Sequence, residues 1–284
     1  MPFNIIGAGK LGLALAQVLT GSGQTSLGAI CNRSYASAIR SCEIVGFGQP
    51  VAQLCHLPAA EITFITVNDD QIPSVVDALG KAEVLTPGSL VFHCSGLLGS
   101  EVLAPLQQLG CFVASLHPLK AFRANDPHPS FANIYCTLEG NEEACAWAKV
   151  MFDSLGAEVL QIASNNKAAY HAAACMASNY LITLAASCET LFLQAGLSQE
   201  TAMAIIQNQM QGALDNLKQT GNMKAALTGP LLRGDSGTIA LHVQTIQDAA
   251  IKAFYQAAGL ATLPLTTLPL EKKQAISNLL TVEE

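Results

Sequence analysis

The chain has 284 residues, of which 50% are hydrophobic and only 12% charged, with a formal net charge of −7 and nine cysteines. That length suits two domains of ordinary size, and a negative balance without a basic run excludes nucleic-acid binding by phosphate neutralisation. The cysteines are irregularly spaced, with no CxxC pair and no His/Cys grouping at metal spacing; they read as reduced, mostly buried thiols of a cytoplasmic protein without a metal.

The N-terminus has no basic segment leading into a signal-like apolar stretch. Instead the apolar run Phe3-Asn4-Ile5-Ile6 feeds Gly7-Ala8-Gly9-Lys10-Leu11-Gly12, and helical spacing follows to Leu19. This is a strand–GxGxxG–helix pattern. The first glycine makes the tight turn, the second admits a pyrophosphate to the backbone and the third lets helix and strand pack closely. A second strand over 26–31 ends at Asn32-Arg33-Ser34, where an NAD-binding domain would carry an acidic residue for the ribose 2′-hydroxyl. An arginine flanked by short polar donors suits a 2′-phosphate, so the expected cofactor is NADP(H); the alternative is a solvated surface charge.

Further β-like runs are expected near 44–45 and over 62–67, 90–93 and 111–115, each alternating with helical patterns. They argue for right-handed βαβ units and an α/β fold of the Rossmann type, a doubly wound parallel sheet covered on both faces. A strand–helix–strand over 134–138, 142–154 and 157–162 extends this domain to residue 162. Residues 163–284 then read as an all-helical domain opening with a long helix over 165–195, for which Ser164 is the expected N-cap. The apolar stretch 172–193 is interrupted by Ser178, Asn179, Ser187 and Glu189. It predicts a buried or subunit-interface helix of a homodimer and no membrane span.

Ligands of such sheets bind beyond the carboxyl ends of the strands. Val67-Asn68-Asp69 and His93-Cys94-Ser95-Gly96 are therefore expected beside the nicotinamide, although Asn68 or Asp69 could equally cap the helix starting at Ile72. His117, at the exit of the sixth strand, could exchange a proton with a substrate oxygen or be structural. Lys167, His171 and Ser178 fall within about 40° on one alanine-lined helical face, which suits a cleft wall better than a core stripe. In the segment 228–238, TGPLLRGDSGT, Arg233 precedes an expected helix start at Asp235 and could bind a carboxylate, or simply pair with Asp235.

The motifs GAGKLG, CNRS, HCSG, LHPLKAF, KAAYHAAACMASNYL and TGPLLRGDSGTIALH together resemble a family of uncharacterised bacterial proteins. In that family an N-terminal Rossmann-like, NADP-oxidoreductase-type domain precedes a helical domain of unknown function. Its distant relatives are the β-hydroxyacid dehydrogenases, ketopantoate reductase, pyrroline-5-carboxylate reductase and prephenate dehydrogenase. Similarity to hydroxyacid dehydrogenases implies an acid–base role for Lys167, with His171 where they carry asparagine. Similarity to prephenate dehydrogenase implies roles for Ser95, His117 and Arg233 instead.

The resulting expectation is an NADP(H)-dependent oxidoreductase moving a hydride to or from a small carboxylate-bearing carbonyl, hydroxyl or imine substrate. Lys167 with His171, or else His117, would handle the proton, Arg233 would hold the carboxylate, and Ser95 and Asn179 would orient the reacting carbon. A non-catalytic dinucleotide sensor and an oxidoreductase using a deazaflavin coenzyme are the alternatives.

Overall fold

The computed structural model describes residues 1–123 and 126–281. In chain order, β1 (Pro2–Ile6), α1 (Lys10–Gly21), β2 (Ser26–Cys31), α2 (Tyr35–Val45), β3 (Gln49–Val51), β4 (Ile62–Ile65), α3 (Ile72–Ala82), β5 (Leu90–His93), the short α4 (Ala104–Gln107) and β6 (Phe112–Pro118) build most of one sheet. β7 (Tyr135–Gly140), α5 (Glu142–Ser154) and β8 (Glu158–Gln161) complete it, in the order β3-β2-β1-β4-β5-β6-β7-β8. The reversal of strand order beside β1 leaves a crevice at the strands' carboxyl ends, where such folds bind ligands.

Strand alternation explains why both faces are covered. Phe3, Ile5, Phe64 and Phe92 point into one apolar layer with Leu15 and Phe152, while Ile6, Ile65 and Val91 point into another with Ile72, Val76 and Leu106. Phe64 and Phe92 stack at 5.2 Å between ring centroids, and Trp147 of α5 lies 5.6 Å from Phe92. Phe64 and Phe92, both fully buried, each contribute roughly 1.5–3 kcal/mol relative to exposure.

Four local expectations are corrected. Residues 44–45 are the last turn of α2 and not a strand: Ser34 accepts a cap bond from the Ser37 N–H, Gly46 closes the helix at φ 78°, and the third strand lies at Gln49–Val51. The sheet is not wholly parallel, because β7 runs antiparallel to β6. That pairing prolongs β6 beyond residue 115, so His117 lies inside the strand, opposite Thr137, and not in the loop after it. Ser164 does not cap the long helix. It opens a short 3₁₀ turn, and its hydroxyl donates to Glu101 Oε2 at 2.8 Å.

The chain divides into two compact units, Met1–Met176 and Ala177–Glu284. The sequence placed the division at 162/163; the first unit also takes in the first turns of α6 (Lys167–Gln194). The second unit continues with α7 (Gln199–Thr220), α8 (Met223–Ala226), α9 (Pro230–Arg233), α10 (Ser236–Thr245), α11 (Ala249–Thr262) and α12 (Leu270–Leu280). Its buried core is small, centred on Ile239, Leu263, Ile276 and Leu280. All nine cysteines are free thiols, and among the described residues no helix is long and apolar enough to cross a membrane.

Candidate active site

The glycine turn has the geometry its sequence predicts. Gly7 adopts φ +92°, and a Cβ there would stand 2.6 Å from Val67 Cγ1; a Cβ on Gly12 would stand 2.7 Å from the Gly7 carbonyl. Neither position tolerates a side chain. Thr66 Oγ1 donates to that carbonyl at 2.7 Å, tying the turn to β4. A Cβ on Gly9, by contrast, would project into open space, and no side chain caps the α1 N-terminus there. A helix N-terminus without a side-chain cap and a glycine face free of substituents form a cradle that could hold a pyrophosphate.

The cradle opens into a cavity of about 430 Å³, whose lining joins Gly7, Ala8 and Gly9 to Arg33, Ser34, Ser37 and Arg40, and to Val67 and Asn68. Two guanidinium groups line it, and among the described residues no carboxylate does. Asn32 braces this wall: its Oδ1 accepts from the Ala8 N–H at 2.6 Å and its Nδ2 donates to Ser37 and Ser41 Oγ, both at 3.1 Å. Lys10 lines a separate small hollow with Leu13 and Phe122, and Leu11 packs against the core.

A polar cluster continues along the same strand ends, on β4, β5 and β6. Ser95 Oγ donates to Asp69 Oδ2 at 2.7 Å and accepts from the N–H groups of Leu97 and Leu98, at 3.1 and 2.9 Å, so it holds the loop after β5. Neither Asn68 nor Asp69 caps α3, which starts from Gln71; Asn68 faces the cavity and Asp69 is taken by Ser95. His93, fully buried, accepts from the Ser95 N–H on Nδ1 and so donates from Nε2 to the Gly99 carbonyl. Burial first, and the Lys167 charge second, lower its pKa from 6.5 to about 4.

Lys167 is 1% exposed. Its ammonium donates to Ser115 Oγ at 2.5 Å and to the Ser95 carbonyl at 3.1 Å, and pairs with Glu139 Oε1 at 3.8 Å. Glu139 in turn accepts from the Ser100 N–H and hydroxyl, each at 2.7 Å. Burial lowers the Lys167 pKa, and Glu139 pulls it back. With its donors directed at these partners, Lys167 clamps the loop after β5 to β6, β7 and α6 instead of presenting an acid to solvent.

His117 and His171 face each other with ring centroids 6.1 Å apart. A Cβ on Gly96 would stand 2.6 Å from His171 Cδ2 and 2.9 Å from His117 Nε2, so only glycine lets both rings approach the loop. His117 Nδ1 is 2.9 Å from the Tyr170 hydroxyl. Burial, then the Lys167 charge, lowers the His117 pKa to about 4.

Residues 1–118 match the model of a Rossmann-like domain, and residues 134–262 match that of a domain of unknown function, DUF2520. The chain joins a Rossmann-like domain to a DUF2520 domain. The DUF2520 segment begins at β7, within the first compact unit, so one polar cluster draws Ser95 and His117 from the Rossmann-like segment and Glu139, Lys167, Tyr170 and His171 from DUF2520.

No curated protein matches the sequence. Among solved structures, protein BF3122 of Bacteroides fragilis superposes with TM-score 0.74 at 20% identity, over 93% of this chain and 98% of that one. Protein TM1727 of Thermotoga maritima gives 0.70 at 25%, over 96% and 98%. The pyrroline carboxylate reductase of Plasmodium falciparum, with NADP bound, gives 0.60 at 15%, over 98% of each chain.

Asn179 and Arg233 belong to the DUF2520 segment of the second unit. Asn179 is exposed on α6, its Oδ1 accepting from Ser178 Oγ at 3.0 Å. Arg233 is paired with Asp235 Oδ2 at 2.8 Å, and Asp235 occupies the N-cap position of α10 without a side-chain cap bond. Sequence reasoning missed Ser37, Arg40, Tyr170 and Glu139. The spacing of Ser34, Ser37 and Arg40 at the start of one helix was a usable signal; Glu139 carried none, because its partner is distant in the chain.

Proposed function

We propose that this chain is an NADP(H)-dependent oxidoreductase acting on a small carboxylate-bearing carbonyl, hydroxyl or imine compound. The observation that carries the reading is the cavity at Gly7 and Gly9, whose lining includes Arg33 and Arg40 with no carboxylate among the described lining residues. The P. falciparum reductase with NADP bound, of the same fold, supports it. When bound, the dinucleotide supplies or accepts the hydride.

The protein's part is to hold and to move a proton. The α1 N-terminus would take the pyrophosphate, while Arg33, Arg40 and Ser34 would clamp the 2′-phosphate. His117, with His171 beside it, is the group suited to exchange a proton with the reacting substrate atom, and Lys167, Ser95 and Asp69 fix the loop that presents it. Arg233 is the group of the second unit suited to a carboxylate, with Asn179 as a further substrate contact.

Calorimetry should find NADPH bound at least tenfold tighter than NADH, about 1.4 kcal/mol, and Arg33→Ala should remove most of that difference. Equal affinities in the wild type would overturn the cofactor choice. Substrate class is then tested by absorbance change with keto acids, imines and hydroxy acids.

We also infer a cytoplasmic homodimer built on α6. Met176, Tyr180 and Leu184 form one exposed apolar stripe, and Ile182 and Leu193 another on the opposite side of the same helix. Light scattering at micromolar concentration should give a dimeric mass; a monomeric mass refutes the assembly.

A further inference from the structure

We propose that Tyr170 is a positioning residue that fixes His117 with its proton on Nε2, making the two side chains a proton relay to the reacting oxygen or nitrogen of the substrate. This rests on the oxidoreductase reading above. Tyr170 lies in the first turn of α6, its hydroxyl 2.9 Å from His117 Nδ1 and its ring edge-on to the imidazole at 5.8 Å between centroids. The bond has two possible directions, and acidity decides between them. A phenol is a far stronger acid than the N–H of neutral imidazole, so the hydroxyl donates, Nδ1 accepts and Nε2 keeps the ring's hydrogen.

The surroundings hold both groups neutral at pH 7. Burial, and the nearby Cys136 in the same sense, raise the Tyr170 pKa, while the Thr137 hydroxyl acts against them. His117 is kept from charging by burial, by Lys167 and by His171, and Asp69 opposes them. The remaining question is where Nε2 points, and Gly96 answers it. The ring nitrogen lies against a loop residue without a side chain, where a methyl group would come within 2.9 Å of it. A neutral donor at a strand's carboxyl end meets a substrate atom gaining negative charge without the desolvation cost of a buried imidazolium.

The proton balance closes on these two side chains and water. As the substrate atom gains the Nε2 proton, that N–H bond breaks, Nδ1–H forms and the Tyr170 O–H bond breaks. Once product leaves, Nε2 takes a proton from water as the Nδ1 proton returns to the phenolate, which restores the starting tautomer. For oxidation each transfer runs in reverse.

The test is ¹⁵N–¹H imidazole NMR on the whole protein without substrate. His117 should show Nε2 protonated and Nδ1 bare between pH 5.5 and 8, and Tyr170→Phe should release it into a mixture of tautomers. Protonated Nδ1 in the wild type, or a tautomer unchanged in the variant, overturns the proposal. With a substrate in hand, Tyr170→Phe should lower kcat at least tenfold with NADPH affinity unchanged and shift the pH profile of kcat; an unchanged profile also overturns it. If the tautomer is as expected but no substrate class turns over, the oxidoreductase reading fails while the fixed tautomer stands.

Discussion

Lys167→Met should lower the unfolding free energy by about 3–5 kcal/mol, the usual cost of removing one partner of a buried ion pair. The carboxylate of Glu139 would keep its Ser100 donors but lose the only cation within 4 Å among the described residues, and the Ser95 carbonyl and Ser115 hydroxyl would each lose a donor. Glu139→Gln in the same background should recover a good part of the loss, because a neutral amide needs no counter-charge. Urea unfolding followed by circular dichroism measures all three proteins; a Lys167→Met midpoint matching the wild type would show that the clamp carries no stability.

Acid should destabilise the protein well above the ordinary carboxylate range. His93 and His117 each titrate near 4 in the folded protein and near 6.5 when unfolded. Both folded values are depressed, so below pH 6.5 the unfolded chain binds more protons than the native one. Stability is fully present above that pH, falls as pH drops from 6.5 to about 4, and levels off below. The contribution is of order 3 kcal/mol for each ring, and less than additive because Lys167 acts on both. For His93 the charged form also sets a donor on Nδ1 against the Ser95 N–H. Denaturant titrations at pH 7.5, 5.5 and 4.5 should show the loss, and His93→Asn should reduce its slope; an unfolding free energy constant over that range would contradict the assignment.

The fold was legible because its signals are local and periodic. The GAGKLG turn, the alternating strands and the mostly apolar, fully buried runs over 62–65 and 90–93 follow from glycine sterics and from burial on two faces. What sequence left hidden was mostly pairing between distant segments. Nothing near residue 117 announces that β7 will run antiparallel to β6 and draw His117 into the strand, and residues 44–45 are apolar enough for an edge strand although the Ser34 and Gly46 caps decide for helix. In the site, placement at the strand ends was legible where hydrogen-bond partners were not. Asn32, Ser95 and Asp69 stand at the expected strand ends, yet their hydrogen bonds turn inward and hold the loops. The helical face of Lys167 and His171 was visible from spacing, but the depth at which the lysine is buried depends on Glu139, Ser100 and Ser115, which adjacency in the chain does not connect.

The start of DUF2520 inside the sheet has a consequence for how such proteins can recombine. A break after residue 118 would strip β6 of its antiparallel neighbour, leaving a seven-residue strand edge open to pairing with other chains. It would also leave His117 without Tyr170 and the loop after β5 without Lys167. The N-terminal segment is thus no interchangeable cassette: its sixth strand and the following segment must be inherited together, and drift in one constrains drift in the other.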